Sequence, residues 1–417
     1  MSFDEERVII LGAGVIGLCS AWHLLKAGRP VTIIDRSGNS EAGCSYGNSG
    51  MIVPSHFTPL AAPGVISQGI KWLANPEGPL YIRPRANGDL LRWIKLFTKH
   101  ANSKHVNASA ELLRDLNIES RRLFKEMAGE AGSELVEKGL LMLCNTDKGL
   151  DEESEVAEMA RHLGLSAEVC DPARLRELDS GIQMSVKGGV WFKDDCHLDP
   201  AAFVRGLRAR LIEMGAEFVE DIEVTGLNSH NEGEVSLSGV DIPPGLEIVI
   251  ACGTWSTELI KSLGHRMPMQ AGKGYSMTLT QPREQPELCS ILSEAKVAVT
   301  PMGGNLRFGG TMEICGNDLS VNPRRVRGIA RSVSDYFPGY QEQDFEGIEP
   351  WSGLRPCSPD GLPYIGRVNG YKNLTVASGH AMMGLSMGPV TGRLISEIIT
   401  TDSPCMDIRK LDPLRFN

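Results

Sequence analysis

The sequence predicts an α/β protein in which a domain with a parallel sheet carries an inserted α+β domain with an antiparallel sheet. Three observations support this prediction. An apolar run, Arg7–Leu11, is followed at once by a glycine-rich turn and a helical stretch. A second apolar run, Glu247–Ala251, leads in the same way into Gly253 and a helix. Beyond them, Met269–Thr280 alternates in the manner of an antiparallel strand.

Length and composition exclude several classes of protein. The chain has 417 residues, 41% of them hydrophobic, and its 42 basic and 52 acidic residues give a formal charge of −10. This length predicts two or three domains, and the acidic balance argues against a nucleic-acid partner, because phosphate binding needs clustered Lys and Arg. The partner is therefore expected to be a small molecule. The cysteines form no CxxC pair, so we expect no metal site. They are scattered along the chain in apolar settings, which is typical of a protein in the reducing cytoplasm.

The N-terminal elements form a βαβ unit with the fingerprint of dinucleotide binding. Gly12 permits a tight turn, Gly14 lets the pyrophosphate approach the backbone, and Gly17 lets helix and strand pack closely, as in a Rossmann-like domain. We expect the pyrophosphate at the helix N-terminus and Asp35 on the adenosine ribose. In order, the parts are strand Arg7–Leu11, the glycines Gly12, Gly14 and Gly17, a helix over 18–27, strand Val31–Ile34 and Asp35.

The middle of the chain alternates between helical and strand-like segments. Apolar spacing predicts helices over 109–128, 153–163, 199–215 and 256–263. β-branched and apolar runs predict strands over 139–144, 188–192, 217–225 and 247–251. Two further strands, Lys296–Thr300 and Leu306–Glu313, are joined by the turn Gly303-Gly304-Asn305 and extend the antiparallel sheet.

The last stretch predicts a return to the nucleotide domain. Strand Leu374–Ser378 precedes a glycine loop and a helix over Pro389–Ile399. Such a loop brings a second helix N-terminus to the ligand. The fingerprint alone leaves NAD and FAD open. A second positive helix end favours FAD, because a flavin gains negative charge when it is reduced.

Several separated motifs together resemble the D-amino-acid-oxidase superfamily of FAD enzymes, and within it the small subunit of bacterial D-amino acid dehydrogenases. The resemblance covers nearly the whole chain. Besides the fingerprint, its superfamily motifs are 45–50 (SYGNSG), 251–255 (ACGTW), 353–356 (GLRP) and 359–361 (PDG); the dehydrogenase motifs include 91–93 (LRW), 273–276 (KGYS) and Gly379-His380.

The resemblance implies a fold, a cofactor and a reaction. It implies noncovalent FAD, since the surroundings of Cys357 lack the pattern of covalent flavoenzymes. It also implies oxidative deamination, in which hydride leaves Cα of a D-amino acid for flavin N5. The implied domains are a discontinuous FAD-binding domain over 1–55, 185–265 and 350–417, and a substrate domain over 56–184 and 266–349.

Both the fingerprint and the resemblance assign residues to FAD. The expected contacts are Gly12, Gly14, Val15, Ile16, Gly17, Asp35, Arg36, Ser45, Asn48, Ser49, Gly50, Val224, Cys252, Gly253, Trp255, Lys273, Gly379, His380, Met383, Gly384 and Leu385.

The resemblance also assigns residues to the substrate. Arg355 of the GLRP motif is expected to hold the substrate carboxylate, since a guanidinium offers a fixed bidentate fork; the alternative is an ion pair with Asp360. Tyr275 and His380 are expected near the substrate or the flavin, with ordinary packing as the alternative for each. His56 stands where the related dehydrogenases have other residues, which leaves open cyclic substrates such as D-proline or a hydroxy-D-proline.

The segment from Phe57 to Phe97 mixes aromatic residues with basic ones. This pattern is typical of a peripheral membrane contact or a quinone entrance, while ordinary packing is the alternative. The resemblance implies a quinone or another electron carrier as acceptor, and a place in the cytoplasm or on the inner face of its membrane. Two other functions stay open: an oxygen-using glycine or sarcosine oxidase, and a flavin-binding regulatory protein without turnover.

Overall fold

The computed structural model describes residues 6–38, 43–73, 75–240, 242–243 and 245–417, and it confirms the mixed α/β fold class. Its strands are β1 (Val8–Leu11), β2 (Val31–Ile34), β3 (Met51–Ile52), β4 (Leu80–Ile82), β5 (Leu140–Cys144), β6 (Ala167–Cys170), β7 (Gly188–Phe192), β8 (Cys196–His197), β9 (Glu217–Val219), β10 (Gly226–Ser229), β11 (Val235–Ser238), β12 (Glu247–Ile250), β13 (Gln270–Thr280), β14 (Cys289–Leu292), β15 (Val297–Met302), β16 (Asn305–Ile314), β17 (Trp351–Cys357), β18 (Tyr364–Arg367) and β19 (Leu374–Ser378).

The α-helices surround the sheets, and short 3-10 turns lie between them. The α-helices are α1 (Val15–Lys26), α2 (Val65–Leu73), α3 (Gly88–His100), α4 (Ser103–Glu130), α5 (Asp147–His162), α6 (Pro172–Leu178), α7 (Pro200–Glu213), α8 (Ser256–Ser262), α9 (Pro323–Tyr336) and α10 (Gly388–Thr400).

The first sheet is the parallel sheet that the sequence predicts. Its strand order is β18-β19-β12-β1-β2-β9, and every pair is parallel except β18 with β19. Val8 of β1 pairs with Val31 on one side and Glu247 on the other. Strand β1 therefore stands at the point where the chain order reverses, and ligands of such sheets bind outside the carboxyl ends of the strands at this point.

The second sheet is larger and mostly antiparallel. Its order is β17-β13-β16-β15-β14-β5-β7-β6, with β4 beside β16. The predicted hairpin turn is present, with Gly303 at φ +55° and Gly304 at φ +88°. Strands β7 and β17, although they lie within the ranges assigned to the FAD-binding domain, pair in this sheet. The division of the chain into two domains stays a prediction.

The structure differs from the expected elements in several places, among them α9 (Pro323–Tyr336), which was not predicted, and two regions close to the cavity. Strand β9 ends at Val219, not at 225, because Asp221 takes a left-handed φ of +58° and its carboxylate accepts a hydrogen bond from Gly38 N at 2.9 Å. The aromatic and basic segment after Phe57 forms two helices, α2 and α3, that the sequence did not predict. Among the described residues, no helix has the length and apolar character needed to span a membrane.

A buried carboxylate ties the segment after β3 to the second sheet. Asp195 lies between β7 and β8 with no exposed surface. Its Oδ2 accepts a hydrogen bond from Ser55 Oγ at 2.5 Å, and its Oδ1 accepts one from Ser55 N at 3.0 Å. Burial raises the pKa of Asp195 to about 7, because the charged form is poorly solvated there.

This raised pKa predicts a pH-dependent contribution to stability. Between its ordinary value of 3.8 and about 7, folded Asp195 keeps a proton that the unfolded chain releases. Its contribution is therefore fully present below that window and is lost as the pH rises through it. Replacing Asp195 by Asn removes the titration, so the stability of the variant relative to wild type should increase by about 1 to 4 kcal/mol across the window.

Chemical denaturation at a series of pH values measures this difference. The control is Gln68→Ala at an exposed position of α2, which removes no titratable group and should therefore change stability by the same amount at each pH. A wild-type-minus-Asp195→Asn difference that is flat with pH would contradict the assignment.

Candidate active site

A cavity of about 470 Å³ opens at the carboxyl ends of β1, β2, β12 and β19 and reaches β17 of the second sheet. It lies where the reversal of strand order places a ligand. The predicted residues that line it are Gly12, Gly14, Val15, Ile16, Asp35, Arg36, Ser45, Asn48, Val224, Cys252, Gly253, Trp255, Arg355, His380, Gly384 and Leu385.

The glycine turn has the geometry that the fingerprint requires. Gly12 has φ +106°, and a Cβ there would lie 2.6 Å from Ala251 O. A Cβ on Gly17 would overlap the carbonyl of Gly12, so helix α1 approaches the turn closely. The N-cap residue of helix α1 is Gly14, which has no side chain, and the first turn contains no acid, so no negative side chain of the helix neutralises its N-terminal dipole.

The end of β2 offers an acid and a flat cation. The Asp35 carboxylate accepts hydrogen bonds from Ala13 N at 2.7 Å and Ser37 N at 2.9 Å, and a carboxylate can accept further ones. The Arg36 guanidinium lies 3.7 Å from the centroid of the Trp255 ring. The nucleotide end of the cavity therefore has both an acceptor for ribose hydroxyls and a stacked planar wall.

The loop from Gly43 to Gly50 is held between the two sheets. Ser45 Oγ accepts a hydrogen bond from Val15 N at 3.0 Å. From the second sheet, Arg307 Nη1 donates to Asn48 O at 2.8 Å, and Thr300 Oγ1 donates to Ser49 O at 2.7 Å. Ser49 and Gly50 support this loop without lining the cavity.

The loop after β19 brings His380 to the cavity. His380 is 2% exposed, and its Nε2 lies 2.9 Å from Thr391 Oγ1 of α10. Burial lowers the pKa of His380 to about 3, so the imidazole is neutral at pH 7. Gly379 at φ +77° makes the turn, and Met383 N donates to His380 O at 2.8 Å. These two residues therefore hold His380 in place without lining the cavity themselves.

Arg355 lies where the second sheet meets the cavity. Its Nη1 donates to Thr311 O at 2.7 Å. A Cβ on Gly274 would overlap both Nη atoms, so the guanidinium rests flat on that glycine. The alternative pairing with Asp360 is excluded, because Asp360 holds Arg415 at 2.8 and 2.9 Å. Within the described part of the chain, no acidic side chain forms an ion pair with Arg355.

Besides Gly17, Ser49, Gly50, Gly379 and Met383, three more predicted residues lie outside the cavity lining. Tyr275 and Lys273 follow the strand alternation to the face of β13 opposite Gly274. There Tyr275 OH donates to Glu313 Oε2 at 3.0 Å, and Lys273 Nζ donates to Ser320 O at 2.5 Å. His56 Nδ1 lies 3.1 Å from Ser55 Oγ, and burial lowers the pKa of His56 to about 4. The structure does not bring these side chains to the cavity lining.

Several contacts around the site were not predicted. Cys44 and Ala381 line the cavity, and Ala381 takes a left-handed φ of +49°. Trp93 of α3 donates from Nε1 to Cys357 O at 2.8 Å and so connects the unpredicted helix to the site. Cys357 is fully buried, and burial raises the pKa of its thiol to about 12, which supports the expectation of noncovalent FAD.

Known proteins of similar sequence and structure agree with an FAD site at this cavity. Residues 7–398 match the family described as DAO, FAD dependent oxidoreductase. Among solved structures, glycine oxidase from Geobacillus kaustophilus is 22% identical with a TM-score of 0.77, covering 99% of this chain and 100% of that one. L-proline dehydrogenase from P. horikoshii is 18% identical with a TM-score of 0.72, covering 100% and 98%. Iminodiacetate oxidase from Chelativorans sp. BNC1 is 20% identical with a TM-score of 0.72, covering 98% and 99%.

The glycine turn gives a prediction about the cofactor. A Cβ on Gly14 would lie 3.7 Å from Ser45 Oγ, so the protein has room for it, whereas a pyrophosphate at this turn would not. Gly14→Ala should therefore fold normally but bind FAD about tenfold more weakly or worse. The FAD retained per chain and the thermal stability of the apoprotein measure the two effects.

Gly88→Ala is the matched control, because a Cβ on that exposed helical glycine meets nothing within 4 Å. If Gly14→Ala and Gly88→Ala retain FAD equally, the pyrophosphate does not lie at this turn.

Proposed function

The chain belongs to the DAO family of FAD-dependent oxidoreductases, and from this premise we propose that it is a D-amino acid dehydrogenase. The substrate, with its amine neutral, loses hydride from Cα, which leaves an iminium ion. Water then hydrolyses the iminium to a 2-oxo acid and ammonium, or, for a cyclic amino acid, opens the ring to an amino 2-oxo acid. The electrons pass on to a quinone or another acceptor that is not oxygen.

The observation that carries this proposal is the unpaired guanidinium of Arg355 at the cavity. A half-buried cation without an acidic partner is costly unless a ligand supplies the negative charge. The carboxylate of an amino acid fits the planar fork of donors. The carbonyl of Thr311 holds Nη1 from behind, so the guanidinium is oriented before the substrate arrives.

The chain contributes alignment and not proton transfer to the proposed reaction. When bound, FAD accepts the hydride. Arg355 holds the carboxylate and fixes the direction of Cα. His380 stays neutral at pH 7, so it adds no positive charge that would oppose the loss of hydride. Leu60, Trp93 and Met312 pack around Cys357, two residues along β17 from Arg355. Because the proposal assigns no side chain to take a proton from the amine, the amine must arrive unprotonated.

A second candidate function is an oxygen-using oxidase of glycine or sarcosine. The fold shared with glycine oxidase and iminodiacetate oxidase favours it. Stoichiometric hydrogen peroxide during turnover would identify this alternative, whereas reduction of a quinone without peroxide would support the dehydrogenase.

The proposal predicts which substrates reduce the enzyme. In an anaerobic screen of D- and L-amino acids, cyclic ones included, D-amino acids should bleach the flavin absorbance. Replacing Arg355 by Ala should cost about 3 to 5 kcal/mol in kcat/KM, since the carboxylate loses its partner in a desolvated site. Arg355→Lys should recover only part of this, because an ammonium lacks the bidentate fork.

Two outcomes would contradict the proposal. One is bleaching by L-amino acids alone. The other is an unchanged kcat/KM in Arg355→Ala that still carries a full complement of FAD.

We further propose that α2 and α3 contact an anionic membrane surface, from which a quinone would reach the enzyme. On these helices Ile66, Ile70, Leu73, Leu91 and Ile94 are exposed, with Ile70 at 65% and Leu91 at 66%. The surrounding charge is basic in an otherwise acidic chain: residues 57–100 contain six Lys and Arg but two Asp and Glu. Apolar side chains flanked by cations are typical of interfacial helices.

Helix α3 of this surface also packs against β17, the strand that carries Arg355. Leu91 and Ile94 are exposed on α3, while Trp93 on the same helix is buried against Cys357. One side of α3 is thus exposed to solvent, and the other contacts β17, the strand that carries Arg355. A peripheral contact here would bring the acceptor close to the cofactor.

Vesicle binding checks this surface. The wild-type holoenzyme should sediment with vesicles that contain anionic lipid, less so at high salt, and poorly with neutral ones. Ile70→Glu should reduce the bound fraction about fivefold or more, because a charge replaces an apolar contact at the interface.

The control is Ile212→Glu on α7, an isoleucine that is 53% exposed on a helix outside this surface. Equal binding of the Ile70 and Ile212 variants would contradict the assignment of the surface.

A further inference from the structure

Trp351 is the first residue of β17, and the proposed reaction assigns no role to its side chain. Its indole is partly exposed. A Cβ built on Gly47 would overlap ring atoms Cδ2, Cε3 and Cε2, and a Cβ on Gly353 would overlap Cη2. The ring therefore rests directly on two stretches of backbone, one from the loop beside the cavity and one from its own strand.

The indole and the Arg355 guanidinium lie side by side. Gly353 pairs directly with Gly274 across β17 and β13. The indole covers Gly353, and the guanidinium covers Gly274. Both groups therefore stand on the same face of the two strands, over a pair of residues that has no side chains. Because neither glycine has a side chain, the guanidinium and the indole can both lie against the backbone and next to each other.

Contacts from the second sheet hold the loop under the indole in place. Ser276 Oγ donates to Gly47 O at 3.0 Å, and Ser276 pairs with Trp351 in the sheet. Arg307 holds the next residue of the loop through Asn48 O. The ring is thus confined between a loop held by hydrogen bonds and its own edge strand, β17. A rigid aromatic wall of this kind selects ligand shape at little entropic cost.

We propose that Trp351 forms the substrate-side wall of the site and selects five-membered cyclic amino acids, such as D-proline, over acyclic ones. This inference rests on the proposed function. With its carboxylate on the outward side of the Arg355 guanidinium, a substrate would place its ring methylenes against the neighbouring indole, which lies just beyond the residues that line the cavity. An acyclic substrate of similar size places less apolar surface there.

The test compares two ligands of the holoenzyme that share a carboxylate. Acetate reports on Arg355 alone, whereas pyrrole-2-carboxylate also places a planar ring against the indole. Perturbation of the flavin absorbance gives both dissociation constants. Trp351→Leu should weaken pyrrole-2-carboxylate about tenfold or more and change acetate by less than about twofold. The kcat/KM ratio of D-proline to D-alanine should fall by a similar factor.

Two further variants make the comparison decisive. Trp351→Phe, which keeps a smaller ring, should give intermediate values for both ratios, and it decides the question by the same criterion if Trp351→Leu fails to retain FAD. Trp191→Phe, at a partly exposed tryptophan of β7, should leave both ratios unchanged.

Equal loss of both ligands in the Trp351 variants, or no loss of either, would overturn the inference, because the ring would then serve only the fold. The two ligand constants do not depend on turnover. A wild-type enzyme that no D-amino acid reduces would therefore contradict the proposed function, while selective loss of pyrrole-2-carboxylate would still support the aromatic wall.

Discussion

The position of one guanidinium constrains the rest of this structure. Arg355 is brought from the second sheet to a cavity built by the first, and no acidic side chain among the described residues pairs with it. A charge in such a place needs hydrogen bonds and an incoming anion. The protein supplies one fixed bond, from Nη1 to Thr311 O, and leaves the outward side of the fork for a carboxylate.

The local backbone is shaped around this side chain. Gly274 has no Cβ because the guanidinium occupies that space, and Thr311 takes an uncommon φ of +68°. On the opposite face of the same strands, Lys273 and Glu313 are buried 3.4 Å apart, and Tyr275 bonds to Glu313 as well. This network is satisfied within the protein. It fixes the two strands on one side, while the other side carries the Arg355 guanidinium.

Local signals in the sequence predict the nucleotide end well. Strand Val31–Ile34 has the expected bounds, and the turn at Gly12 has the expected geometry, because each depends on near neighbours in the chain. The substrate end depends on contacts between distant segments. The resemblance assigns Tyr275 and Lys273 to the ligand through the motif at 273–276, but strand alternation turns both side chains to the other face. The indole of Trp351 rests on Gly47, a contact that no short motif encodes.

The most direct test of the central claim is a crystal structure of the FAD-loaded protein with an unreactive carboxylate such as D-lactate. The account predicts that both carboxylate oxygens lie within about 3.2 Å of the Arg355 guanidinium, with the Cα hydrogen directed at the isoalloxazine. A carboxylate bound elsewhere, with Arg355 contacting protein groups alone, would contradict it.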